Sequence, residues 1–317
     1  MQSRALDRKT GFRVDWHQYL VYLAFVAVFL FFAVVLRDSG FTSANNLLNI
    51  VRQTAIVATM AVAMTFVIAA GQIDLSVGAV AGLASVTAAL TIQNFGPLAG
   101  VVVGLLTGLV VGAANGLLVT RLTIPSFLVT LGMMGVARGT AMWMTDTAPV
   151  PILSMPFNNV FGSGNLGPIP SLLIWIVLVA GIGAVVLRKA PYGRQVLATG
   201  GNERAARFSG INTGRIGFTV LAVSGVVAAL AGMLYAGRLQ SGRFQWGEGD
   251  ELSVIAAVVL GGTSLFGGSG SVIGSVLGAL LIGVVNNGLI LMGLETSQQV
   301  IIRGAIIVVA VALARRR

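Results

Sequence analysis

The sequence predicts an all-α polytopic membrane protein of about ten transmembrane helices, and three observations carry that expectation. Hydrophobic residues make up 56% of the 317 and charged residues only 9%, where an ordinary soluble domain has about 25% charged. The mean hydropathy is +0.91. Apolar runs approaching the ~20 residues needed to cross ~30 Å of hydrocarbon recur along the chain. Ten acidic and twenty basic residues cannot clothe a water-facing surface of this size, so most of the exterior faces lipid.

Cutting at polar, proline and glycine punctuation gives segments at 18–36, 53–70, 75–92, 97–119, 125–144, 168–187, 216–236, 252–266, 271–292 and 297–314. The first follows basic residues, as a signal peptide does, but its apolar run is long and Leu36-Arg37-Asp38 is no small-residue cleavage site, so it reads as a retained helix. With the N-terminus inside, the 1–17 arm, Arg121, the 188–215 loop and Arg315 to Arg317 share the cytoplasmic side, fourteen of the twenty basic residues. Loop 145–167 carries no Lys or Arg and falls outside, in keeping with the orientation rule for basic loops. The expected organisation is a basic cytoplasmic segment at 1–17, a membrane-spanning domain at 18–314 with a cytoplasmic loop at 188–215, and a basic cytoplasmic tail at 315–317.

Glycine numbers 42. Gly104, Gly108 and Gly112 recur at four-residue steps, and Gly274, Gly278 and Gly283 crowd a later span; such stripes let helix backbones approach closely in lipid. Two breaks, Gly71 to Ser76 and Gly261 to Ser264, free the backbone within apolar runs, which survives at membrane depth only where it lines a cavity or is buried in protein. An internal echo, Asn115-Gly116-Leu117 with Arg138-Gly139 and Asn287-Gly288-Leu289 with Arg303-Gly304, pairs the fourth and fifth segments with the ninth and tenth. That offset of five is expected of an inverted repeat.

Several chemistries are excluded. Cysteine is absent and the one histidine, His17, lies in the polar N-terminal segment, which removes disulfides, thiolate metal sites and Cys or His triads. Neither lysine follows a glycine, so no phosphate loop for ATP exists. The net charge of +10 belongs to cytoplasmic flanks and not to a nucleic-acid patch. No catalytic residue, metal site or cofactor is expected.

The candidate pathway residues are the polar ones on apolar segments or at breaks: Gln72, Asp74, Ser76, Asn115, Arg138, Thr263, Ser264, Asn287 and Arg303. Arg138 and Arg303 are the two charges within the segments, at about 2.5–3.5 kcal/mol each near a bilayer centre; they line a polar pathway or clamp helix breaks. Asp74 caps the following helix or faces a solute. Asn115, Asn286 and Asn287 bond a polyhydroxy solute or join helices.

The loop from Arg188 to Arg215 contains a short helix. Asn202 caps it, Glu203 occupies its first turn, Ala205, Ala206 and Arg207 continue it, and Gly210 ends it. So short a helix is marginal alone in water, so the spacing of Ala205, Phe208 and Ile211 offers an apolar face to a cytoplasmic partner or to lipid headgroups.

Glu203-Arg204-Ala205-Ala206 followed by Gly210 resembles the loop by which ATP-binding-cassette importer permeases engage their ATPases. Gly71-Gln72-Ile73-Asp74-Leu75-Ser76-Val77-Gly78 resembles the GGIDLSVG signature of ribose-type sugar permeases. Ile124-Pro125-Ser126-Phe127 with Thr130 to Met134 is similar to their next block, as is Gly247-Glu248 through Glu251-Leu252, Ile255 to Ala257 and Gly261 to Leu265. Gln72, in place of a second glycine, and Asp250, where an aromatic is common, depart from the pattern. The resemblance spans about residues 45–314. It implies the multi-pass permease subunit of a monosaccharide importer in a bacterial inner membrane, with both termini cytoplasmic. It also implies an ATPase docked at Asn202, Glu203, Ala205, Ala206, Arg207, Phe208 and Gly210, a second permease copy, identical or paralogous, and a periplasmic sugar-binding protein. Alternating access is the implied mechanism; a secondary transporter, a channel or a structural subunit are the competing classes.

Overall fold

The computed structural model describes residues 16–314. The basic residues Arg4, Arg8, Lys9 and Arg13 of the expected N-terminal arm, and Arg315 to Arg317, lie outside the described residues. Twelve α-helices occur in the described chain: α1 (Trp16–Val35), α2 (Ala44–Ala69), α3 (Val77–Arg121), α4 (Ser126–Thr145), α5 (Met155–Phe161), α6 (Ser171–Lys189), α7 (Pro191–Gly201), α8 (Glu203–Phe208), α9 (Thr213–Leu239), α10 (Asp250–Leu260), α11 (Val272–Leu291) and α12 (Thr296–Ala314). Among the described residues six, α2, α3, α4, α6, α9 and α11, are long and apolar enough to cross a membrane, and Tyr22–Val35 of α1 is a shorter apolar helix. The protein is all-α and polytopic. Its strands are two-residue pairs: β1 (Val150–Pro151) joins β4 (Ser241–Gly242), and β2 (Asn165–Leu166) joins β3 (Ile169–Pro170).

The 45 residues of α3 are two antiparallel arms. Gly96 takes φ 83° and ψ 173° ahead of Pro97, a conformation open to glycine, and the chain reverses there. Ile92 then meets Gly100, Ala88 meets Gly104, and the Thr87 and Thr107 hydroxyls stand 3.0 Å apart. The expected pair 75–92 and 97–119 is this hairpin. The expected segment 252–266 is helical only to Leu260, because Gly261 and Gly262, the latter at φ +87°, end α10 after eleven residues. At 1.5 Å per residue that is about 16 Å, half a bilayer core.

The second arm of α3 and α9 form the tightest seam. A Cβ on Gly112 would lie 2.6 Å from the Leu221 carbonyl oxygen, and Gly108 and Gly225 each abut the other's backbone. The glycine stripe read from the sequence is therefore a packing surface: without side chains the helices gain dispersion contact over backbone atoms. Gly274 and Gly278 do the same against Gly261 and Ala257 of α10.

α2 and α9 run in opposite directions, since Arg238 meets the Arg52 carbonyl and Ser224 meets Asp74, and each is followed by a non-helical segment turning back into the bundle, 70–76 after α2 and the turn-rich 240–249 after α9. The end of the bundle carrying α7, α8 and Arg188, Lys189, Arg194, Arg204, Arg207 and Arg215 is the basic end. The opposite end, with β1 and β4, is the strand end. Phe29, Phe32 and Phe41 hold α1 onto α11 there, with Phe32 lying on Gly288.

Replacing Gly225 with Leu forces bulk into the α3–α9 seam, an overpacking worth about 1–3 kcal/mol. The detergent-solubilised variant should melt measurably below the parent. Gly181→Leu, where no atom approaches within 4 Å, should change stability by at most about 0.5 kcal/mol.

Candidate functional site

Three places gather the polar side chains: the break at 70–76, the segment 240–249, and the loop helix at the basic end. At the first, the backbone leaves α2 with Gly71 at φ +77° and runs extended to Ser76. Its amides are not left bare. The Ile73 N–H donates to Ser126 Oγ and the Leu75 N–H to Thr130 Oγ1, both at 3.0 Å; these hydroxyls share one face of α4 at four-residue spacing.

Asp74 is 1% exposed. Its carboxylate accepts from the Ser76 N–H at 2.9 Å, the Ser76 hydroxyl at 2.6 Å and the Ser224 hydroxyl of α9 at 2.8 Å. Asn115 Nδ2 donates to Ser76 Oγ at 3.0 Å. Asp74 does not cap α3 as expected: it binds Ser76, which precedes the first helical turn, so its role is to close the turn and tie it to α9. Asp74, Ser76 and Asn115 thus form one buried network, with Ser126, Thr130 and Ser224 as members not anticipated as site residues. The i,i+4 pair Ser126 and Thr130 on an apolar helix is the signal that was present. Gln72 is half-buried, its N–H donating to the Val67 carbonyl at 3.0 Å.

The remaining expected residues lie elsewhere. Asn287 and Asn46 exchange two 2.9 Å hydrogen bonds across α11 and α2, a joining role. Thr263 accepts from the Ser271 N–H at 3.2 Å and Ser264 from the Phe266 N–H at 3.3 Å, so both organise the turn after α10. Arg303 belongs to α12, and its side chain lies outside the described residues.

Arg138 is the thirteenth of the twenty residues of α4, within the helix as expected. It is not alone there. Its Nη2 meets Glu248 Oε1 at 2.7 Å, and its guanidinium lies 5.9 Å from the centre of the Phe244 ring. Glu248 reaches it because 242–247 descends along the first arm of α3: Ser85 Oγ accepts from the Arg243 N–H and donates to its carbonyl, both at 3.1 Å, and Gly247 packs on Gly78. From Ala89, beside Gly242, to Gly78 is about 16 Å along the helix. Glu248, which lies between two of the expected segments, is thereby brought beside a charge within a third and stays half exposed. A Gly-rich stretch between two spans looks like a surface turn in sequence; the positive φ of Gly247 and Gly249 serves here to turn the chain back into α10.

At the basic end α8 forms as expected and is flanked by an unexpected helix, α7, whose start at Pro191 is a first-turn proline. Asn202 Oδ1 accepts from the Ala205 N–H at 3.0 Å. Gly210, at φ +84°, closes the helix: its N–H donates to the Arg207 carbonyl and the Ile211 N–H to the Ala206 carbonyl, each at 3.0 Å, the two bonds of a Schellman stop. Arg207 spans Glu203 Oε1 at 2.6 Å and Thr213 Oγ1 at 2.8 Å. Ala206 is buried and Ile211 packs on the core, whereas Phe208 is 93% exposed. At the end of α7, Gly200 touches both breaks: a Cβ there would strike the Ala69 carbonyl and lie 2.8 Å from Gly268 N, and the Gly268 N–H donates to the Ala69 carbonyl at 3.0 Å.

The chain matches the family model described as branched-chain amino acid transport system, permease component, over residues 46–311. The ribose import permease of Bacillus subtilis (strain 168) is 41% identical over 296 aligned residues, 92% of each chain. The D-allose transport system permease of Escherichia coli (strain K12) is 34% identical over 318, covering 99% of this chain and 97% of its own. The xylose transport system permease of the same strain is 34% identical over 358, at 92% and 90%. No solved structure matches the chain.

Arg138→Ala and Glu248→Ala should each speed amide exchange across 243–249, and the double variant should add little to either single one. The coupling expected for a pair this exposed is about 1 kcal/mol or less. Additive effects in the cycle count against a shared latch.

Proposed function

Because the chain belongs to the branched-chain amino acid transport system permease-component family, we propose that it is the membrane-spanning subunit of an ATP-binding-cassette importer that admits a monosaccharide by alternating access. Relatives named for ribose, D-allose and xylose support the substrate class. One observation carries the mechanism: α8 is capped, stopped and outward-facing at Phe208, and it follows α7, whose Gly200 contacts both breaks. A push on α8 therefore reaches α2 through Ala69 and the α10–α11 turn through Gly268 together.

In this reading the basic end is cytoplasmic and a separate ATPase docks on Asn202, Glu203, Ala205, Ala206, Arg207, Phe208 and Gly210. A sugar-binding protein delivers solute at the strand end, and a second permease, identical or paralogous, completes the pathway. The chain crosses ten times, counting both arms of α3 and taking α10 with its descending segment as one pass, so that both termini are cytoplasmic. The permease domain is 18–314. The succession α2, break, α3, α4 recurs as α9, break, α10, α11, α12 in the opposite direction, which supports an inverted repeat. Arg138 of α4 and Arg303 of α12 are then counterparts beside the pathway, with Asp74, Ser76, Asn115, Thr263, Ser264 and Asn287 holding the breaks and joints that move. Gln72 stands at the first break. ATP-driven closure couples to transport only through its differential affinity for the two states of the bundle.

Proteoliposomes holding the permease, its ATPase and the loaded binding protein should accumulate labelled D-ribose, D-xylose or D-allose only with internal ATP. Permease alone should accumulate nothing. Uptake that ignores ATP and collapses with an ion gradient overturns the reading. Phe208→Ala should insert normally yet lose most ATPase co-purification, because a large exposed apolar anchor typically carries about 2 kcal/mol or more of an interface, roughly thirtyfold in affinity; undiminished co-purification refutes the docking surface.

A further inference from the structure

Between α2, α9, α10 and α11, toward the strand end, lies a cavity of about 230 Å³. Exposed Gln53 marks its mouth, beside Arg52, which bonds Asn165 of β2. Thr54 and Ser253, each 3% exposed, line its depth. Tyr235 holds one wall, its hydroxyl donating to Asp250 Oδ2 at 2.6 Å and its ring stacked 6.1 Å from Trp246. Arg238 and Asn286 complete the polar lining, and Val57 and Ile282 supply an apolar side. None of this belongs to the Asp74 network, the Arg138–Glu248 pair or the loop helix.

A polar hollow amid apolar helices is filled by water or by a solute, since dry polar walls there are costly. The volume of about 230 Å³ equals nearly eight waters' share of liquid and falls below the range of drug-sized pockets, so its occupant is a small solute. The charges balance, one guanidinium against one carboxylate, so the walls favour neither a net anion nor a net cation. Donors from Arg238 and the amides alternate with acceptors from Asp250, Gln53 and Asn286, among hydroxyls that do both. That mixture suits a ligand whose own hydroxyls donate and accept, while Val57 and Ile282 offer contact to its C–H face. The wall is pre-set, because Tyr235 is held from both sides.

We propose that this cavity is a solute-binding station contained within a single chain, taking a small neutral polyhydroxylated molecule from the strand end. It rests on the importer reading and adds a place of binding separate from any pathway formed between two permeases.

The absence of cysteine permits a direct test. Ser253→Cys, nearly isosteric, and Asn286→Cys each create the sole thiol, to be labelled in nanodisc-embedded permease–ATPase complex with a membrane-impermeant thiol reagent. Saturating D-ribose, D-xylose or D-allose should slow labelling at least about fivefold, and betaine at equal concentration should not. Leu153→Cys, on the strand-end surface and outside the cavity, should label equally in all conditions. Unprotected cavity thiols, thiols that never react, or equal slowing at Leu153 overturn the proposal. In the reconstituted transporter, Tyr235→Phe should lower sugar moved per ATP severalfold while ATPase docking persists. A parent complex that carries no sugar defeats the importer reading; one that carries sugar with its cavity thiols unprotected defeats only this site.

Discussion

A chain that interrupts its helices within hydrocarbon must still bond every peptide group, and the arrangement of this bundle follows from that requirement. Two non-helical segments run into the bundle from opposite ends. At 70–76 the amides of Ile73 and Leu75 find hydroxyls on α4; at 240–249 the backbone of Arg243 is bracketed by Ser85. Each segment thereby fixes the helix that serves it, so α4 and the first arm of α3 are positioned by peptide groups as much as by apolar contact. Gly247, near the end of the second segment, lies on Gly78, just beyond the end of the first, an approach possible because neither residue has a side chain to interpose.

A second set of backbone contacts gathers at one junction beside the basic end. The break after α2, the turn after α10 and the end of α7 touch through backbone atoms at Gly71, Gly200 and Gly268. Close-packed backbone transmits displacement with little slack. A short helix that is marginal in isolation is tethered beside that junction, with Ala206 and Ile211 turned inward and Phe208 outward.

Helix class, six of the apolar spans and the capped loop helix were legible from residue type and spacing, and the family from its likeness to known sequence blocks. The Asn202 cap and the Gly210 stop are local chemistry, so local reading finds them. The partners of Arg138 were not legible, because Glu248 is over a hundred residues distant and sits in a glycine-bearing stretch that reads as a surface turn. Asp74 stands out in the sequence as a pathway or capping candidate, yet its bond from Ser224 is a contact between elements that no periodicity encodes. The polar residues of the expected pathway separate in space into a buried turn network, a helix joint and an ion pair, since one-dimensional polarity marks expense and not address. Asn286, one of three asparagines on apolar segments, faces a hollow while Asn287 joins helices, a difference of one step around the helix.

The seam where Gly108 and Gly225 meet has no room to spare, and any side chain there adds atoms where none fit. Bulk added along that line is felt by both helices at once, whereas a change on the exposed flank of the loop helix leaves the frame as it is.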